Sequence, residues 1–182
     1  MEQIPDHPVF ARSVLEMITV ANDYCMTLKK VETLSKRKLL DYVTKVSPLL
    51  YLKGALLPET PVNQPDMNER FYTEEEWENL FNAMRKILGN DDVFWYADPE
   101  LSDELVKGSL SEHMTDVFQD MEDFLLLYQK NSLYSKENAV HELGKLFISN
   151  WGKKLLRMMP HVHMVHFATK QSDNGEDLPS IF

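Results

Sequence analysis

Cysteine, glycine and long apolar runs are all scarce in this chain. Its single cysteine, Cys25, excludes an internal disulfide and any zinc site built on thiolates. Six glycines are too few for the usual phosphate cradles, and no Gly-x-Gly-x-x-Gly turn, P-loop or Gly-x-Ser-x-Gly elbow occurs. Dinucleotide-dependent dehydrogenases, P-loop nucleotidases and serine hydrolases of the familiar kinds are thereby set aside. No apolar run approaches the roughly 20 residues of a membrane-spanning helix. The opening MEQIPDHPVF lacks both the basic start and the apolar stretch of a secretory signal. The expectation is a cytoplasmic, reduced protein without membrane association. Cations are also short: 19 Lys and Arg against 29 Asp and Glu leave a net charge of −10, which argues against nucleic acid as a partner.

What the chain does have is helical periodicity. With 182 residues, 43% of them hydrophobic, it is long enough to bury one substantial core. Phe10, Val14, Met17, Ala21, Tyr24 and Leu28 form one apolar stripe, with Pro8 near the first turn. A second helix is expected from about Leu34 to Val46. Ser47-Pro48 then reads as a cap and first position of a short helix ending at Pro58. Residues 58–70 hold three prolines and read as a loop open to proteolysis. Thr73 with Glu76 and Ser109 with Glu112 are capping-box patterns that open two further helices, and Gly89 stops the first of them. Between them, NDDVFWYADPE reads as irregular, extended for three or four residues at most, and no β-hairpin is expected. Ser135 is expected to cap the last long helix. MMPHVHMVHF reads as either a short helix or a strand. The whole is expected to be all-α: a single-domain irregular bundle of six or seven helices over 1–169, with a polar tail over 170–182.

The stretches KRKLLDYVTKVSPLLYLKGALLP, DDVFWYADPE, SLSEHMTDVFQDMEDFLLLYQK and NWGKKLL resemble a family of small bacterial proteins known only as a domain of unknown function. The resemblance spans roughly residues 30–157. It implies an all-helical fold and brings no activity, cofactor or catalytic residue with it.

Four features bear on function. His113, Asp116, Asp120 and Asp123 share one face of a helix, where they form either a solvated acidic face or part of a divalent-metal site. Such a site would be completed by His141, itself paired at i, i+4 with Glu137. The chain contains no Glu-x-x-His, so a bundle di-iron centre is not indicated. His161, His163 and His166 offer a second metal possibility: in a strand the first two would face one way. The methionines among them are equally core fillers. Third, the consecutive aromatics Phe94, Trp95 and Tyr96 cannot all point one way. At least one is either a plug under a loop or a contact residue. Cys25 belongs to the buried side of the first helix and is not a nucleophile candidate.

Charge is distributed in blocks. Residues 98–123 carry nine acidic residues and one Lys, a balance of −8, whereas 29–53 stand at +5 and 145–157 at +4. The leading reading is a non-catalytic interaction or accessory module. It would bind a protein partner through Phe94, Trp95 and Tyr96 and the acidic face of Asp116, Asp120 and Asp123. No cofactor is expected, and the chain is a monomer or a homodimer formed through an exposed apolar helix. The alternative is a metal-binding protein or metal-dependent enzyme.

Overall fold

The computed structural model describes residues 6–98 and 104–173, with side chains in the last helix as far as Ala168. It contains α1 (Arg12–Leu28), α2 (Lys36–Ala55), α3 (Glu74–Leu88), strands β1 (Val93–Ala97) and β2 (Leu105–Ser109), α4 (Leu110–Tyr128), α5 (Leu133–Leu146) and α6 (Gly152–Asp173). A π-helical turn, Phe147–Trp151, joins α5 to α6 without a break. The helices among the described residues therefore amount to five rods, not the six or seven separate ones expected. Helix α4 is central and packs against α1, α3, α5 and α6, while α2 lies across α1 and α6. The fold is mostly α.

The expected starts are largely in place. Thr73 and Glu76 form a complete capping box, Ser109 Oγ accepts from the Glu112 amide, and Gly89 ends α3 at φ 59°, a left-handed value that suits a residue without Cβ. Ser132, rather than Ser135, caps α5; Ser135 lies one turn inside and is fully buried. Pro8–Phe10 forms a short 3₁₀ turn ahead of α1, capped by the His7 ring.

One correction concerns continuity. Ser47-Pro48 does not divide two helices, because α2 runs straight through Pro48. Leu39, Leu40, Val43, Val46 and Leu50 bury one stripe across that point. Pro48 lies on the exposed side, where the backbone carbonyl it leaves unpaired is least costly. MMPHVHMVHF is helical throughout, with Pro160 also inside the helix and exposed. α6 continues to Asp173, into the stretch read as tail, and residues 174–182 lie outside the described residues.

A hairpin replaces the irregular segment. β1 and β2 pair antiparallel, with Phe94 opposite Gly108, Trp95 opposite Lys107 and Ala97 opposite Leu105. The 58–70 loop is tied down at several points. His141 Nδ1 lies 3.1 Å from the Thr60 carbonyl oxygen, the buried Glu137 accepts from both nitrogens of Asn63, and Asn138 donates to the Gln64 carbonyl. Between these ties the loop stays at the surface, with residues 63–66 and 68–70 exposed.

α2 reaches the π-helical turn at Gly54, where a Cβ would overlap the rings of Trp151 and Phe147. Those rings are also stacked obliquely on each other at 4.8 Å, so neither has free space to retreat into. Gly54→Ala is expected to destabilise the protein by about 1–3 kcal/mol, as overpacking of a filled core does, measured by urea denaturation. An unchanged midpoint would show that the rings yield.

Candidate functional site

The hairpin is held at both ends and underneath. At its start, the buried Asp92 accepts from the Ser111 amide at 2.7 Å and the Ser109 hydroxyl at 2.9 Å. A carboxylate thereby sits on the N-terminus of α4, where the helix dipole favours it. At its far end Asp98 pairs with Arg157 of α6, whose guanidinium also lies 5.1 Å from the centre of the Tyr96 ring. Beneath, Phe94 is buried and its ring crosses Gly108. It stacks on His161 at 5.6 Å and meets His113 edge-on at 5.3 Å. His161 Nε2 in turn lies 2.9 Å from the Asp91 carbonyl oxygen.

The alternation of a strand divides the three aromatics. Phe94 is a core plug and Tyr96 is half-buried, but Trp95 points outward with 61% of its surface exposed. Across the outward face, Leu105 is 62% exposed and Val93 is also exposed, with Lys107 directly opposite Trp95. A groove of about 380 Å³ runs between Trp95 and α6, walled there by Leu156, Pro160 and His161. Sequence reasoning singled out Trp95 but not Leu105, Leu156, Arg157 or Asp92, which the structure places around it. Leu105 was hidden because no strand was expected opposite Trp95.

The acidic face of α4 is turned largely inward: Asp120 and Asp123 are buried and Asp116 is half-buried. Asp116 accepts from the Trp77 indole at 2.8 Å and pairs with Lys154. Asp120 accepts from Asn150 at 2.9 Å and lies 3.6 Å from Arg70. Asp123 accepts from the Phe71 and Tyr72 amides at 2.7 and 2.9 Å. The reason is topological: α4 is the central helix and packs against α1, α3, α5 and α6, which covers most of its circumference.

The candidate metal ligands do not converge. Among the described residues, no three His, Cys, Asp or Glu side chains form a group able to hold a metal. His141 faces the 58–70 loop, far in the fold from His113 under the hairpin. The helical conformation separates the three C-terminal histidines: His161 meets the hairpin, His163 is exposed, and the buried His166 approaches Asp41 of α2 at 3.5 Å. Cys25 is buried, and desolvation pushes its thiol well up from the ordinary range, as for an inert core cysteine.

The comparisons with known proteins bear on this arrangement only at the level of the family. The sequence profile of a domain of unknown function, DUF5063, matches residues 9–168. The chain belongs to the DUF5063 family. A crystal structure of the Bacteroides fragilis protein BF1032 is similar to this DUF5063 chain at 26% identity and a TM-score of 0.77. The alignment covers 97% of this chain and 100% of that one. No curated protein matches. The family's resemblance read from the sequence is thus shown, together with its helical fold.

Two buried groups of α4, His113 under the hairpin and Asp120 beside Arg70, have opposite pH responses. Burial, aided by Lys154, pulls His113 down to about 4. Among the described residues neither ring nitrogen has a partner in hydrogen-bond geometry, and the Ser109 backbone and Asp116 only partly oppose the shift. Burial pushes Asp120 up to about 6 against the opposing pull of Arg70 and Asn150. The signs are opposite. The unfolded chain protonates His113 near 6.5, so its contribution to stability is lost as pH falls from 6.5 to about 4. The fold keeps the Asp120 proton that the unfolded chain releases near 4, so that contribution is lost as pH rises from 4 to about 6. Relative to the native protein, His113→Leu is expected to gain up to about 3 kcal/mol as pH falls through the first window. Asp120→Asn should gain up to about 3 kcal/mol as pH rises through the second. Urea denaturation across pH 4–7 measures both differences, and a flat difference for either variant would count against its assigned pKa.

Proposed function

We propose that this protein is a non-catalytic interaction module that docks a protein segment on the outward face of the β1–β2 hairpin. The observation that carries the reading is Trp95, exposed beside Leu105 and Val93 on a hairpin whose other face is locked into the core. A large exposed aromatic on a rigid support binds at low entropic cost, because the unbound protein already holds the bound geometry. The groove between Trp95 and Leu156 accepts an apolar side chain, and Lys107 beside it suits a carboxylate on the partner. The partner chemistry that fits is therefore an apolar segment with acidic flanks. This differs in sign from a partner drawn to the acidic face of α4.

No helix among the described residues is long and apolar enough to cross a membrane. A cytoplasmic setting is supported by the lone, buried thiol.

Trp95→Ala is expected to weaken partner affinity roughly thirtyfold, corresponding to a hot-spot loss of about 2 kcal/mol, while leaving the helical circular dichroism unchanged. Lys107→Glu should weaken it further and reverse its salt dependence. The measurement is titration of the purified partner, first recovered by photo-crosslinking from position 105. Unchanged affinity of Trp95→Ala, or loss of its fold, would show that the residue is structural.

A further inference from the structure

Strand β1 is paired on one side only. β2 follows it over its whole length, from Val93 opposite Ser109 to Ala97 opposite Leu105. In an antiparallel pair the ladder bonds come from alternate residues, and the residues between them turn N–H and C=O to the other side. Among the described residues the sheet has two strands, and no other backbone hydrogen bond reaches Val93–Ala97. Such edges are ordinarily guarded by a charge, a proline or a bulge. The five residues of β1, Val-Phe-Trp-Tyr-Ala, include no charge and no proline, and the register with β2 is unbroken.

The groove of about 380 Å³ described above runs along this bare edge. Phe94, Trp95, Tyr96 and Ala97 all line it, although successive side chains of a strand point to opposite faces. Only a groove that follows the edge meets all four. Beneath it lies α6, which passes under the inner face of the hairpin, where Phe94 stacks on His161 and Arg157 lies against Tyr96. Beside the edge, the apolar side chains of α6 have no strand above them. Leu156 is 54% exposed, and Pro160, one turn on, is also exposed.

We propose that an extended segment of a partner protein adds to the free edge of β1 as a third strand, seated over Leu156 and Pro160. The proposal rests on the docking reading above and supplies its binding mode, strand addition. A strand placed about 4.8 Å from β1 pairs its main chain with the unmatched groups of that edge. Its inward side chains cover Leu156 and Pro160, and its outward ones lie beside Trp95 as cross-strand neighbours. The segment that fits therefore alternates, with apolar residues toward α6. A second copy of the chain fits less well. Paired antiparallel with this edge, its own β1 would bring its own α6 into the space that this α6 already fills. An isolated segment brings nothing beneath it.

The probe is a random display library of linear peptides of about seven residues, selected on the full chain. Strand addition draws on the main chain and is tolerant of sequence, so binders are expected, and Trp95→Ala should weaken them roughly thirtyfold. Methylating one backbone nitrogen of a selected peptide at a time should cost about tenfold at alternate positions and little between them. That change is made on the peptide and leaves the protein's fold untouched. Bound peptide should also slow amide exchange within Val93–Ala97. Binders that depend on Trp95 but tolerate methylation at every position would overturn strand addition and leave the hairpin reading standing. Binders indifferent to Trp95→Ala that leave exchange in β1 unchanged would overturn both. Recovery of no binder would overturn strand addition, with the crosslink from position 105 still deciding the hairpin reading. A dimer in sedimentation equilibrium that a selected peptide dissociates would assign the edge to a second copy and overturn the partner segment.

Discussion

Burial of α4 on nearly every side is the constraint to which the rest of the fold answers. The helix carries Asp116, Asp120 and Asp123 along with its apolar stripe, and it leaves only a narrow line to solvent, through Glu112, Asp116, Gln119, Glu122 and Leu126. An isolated carboxylate in such a place costs several kcal/mol unless it is paired or keeps its proton. Each of the three resolves the problem differently. Asp116 takes an ammonium and an indole donor, and Asp123 takes two backbone amides. Asp120 has weaker partners and moves toward neutrality. These solutions recruit Trp77 from α3, Asn150 from the π-helical turn, Lys154 from α6 and Arg70 from the loop before α3. The polar contacts of α4 are therefore also what fixes its neighbours in place. Whether such contacts add net stability is a separate matter, since an apolar core of equal volume often does as well.

The charge blocks of the sequence acquire their meaning here. The acidic segment 98–123 and the basic segments 29–53 and 145–157 are not opposed surfaces. Among the described residues they meet at three points within the bundle or at its seams: Asp98 with Arg157, Asp116 with Lys154, and Glu122 with Lys29. A block of like charge in a sequence reports only composition along the chain. Its direction in space follows from which helix is central, and that is set by long-range packing that no local pattern encodes.

Helix starts were legible because their chemistry is local: Thr73 and Glu76, or Ser109 and Glu112, sit within one turn of the amides they cap. The apolar stripes of α1 and α4 were legible for the same reason, as was the Gly89 stop. Features decided by tertiary contact were not. Pro48 is a helix breaker by intrinsic preference, yet a core stripe on both sides of it carries α2 through. The hairpin depends on β2, whose sequence LVKGS has no strong strand signature until Phe94 is placed over Gly108. Trp95 could be suspected as a contact residue from three consecutive aromatics. Leu105 could not, because its importance comes from the register that brings it to the same face. The histidines stayed ambiguous for a related reason: their spacing is compatible with a strand or a helix, and tertiary packing makes α6 a helix.

Two apolar features remain on the outside once these internal demands are met, and they differ in kind. The hairpin face is small and rigid, with Asp92, Asp98 and Phe94 fixing it from three directions. Such a surface gains affinity through one or two anchors and needs little area. The apolar run of α2 is short and sits at the end of the helix, where Leu49, Leu52 and Leu56 are exposed. A polar substitution in either would cost the core nothing, since neither side chain set contributes to it. Apolar residues that are free to change without cost to folding, and that nevertheless cluster on a rigid support, are accounted for most economically by what they touch outside the chain.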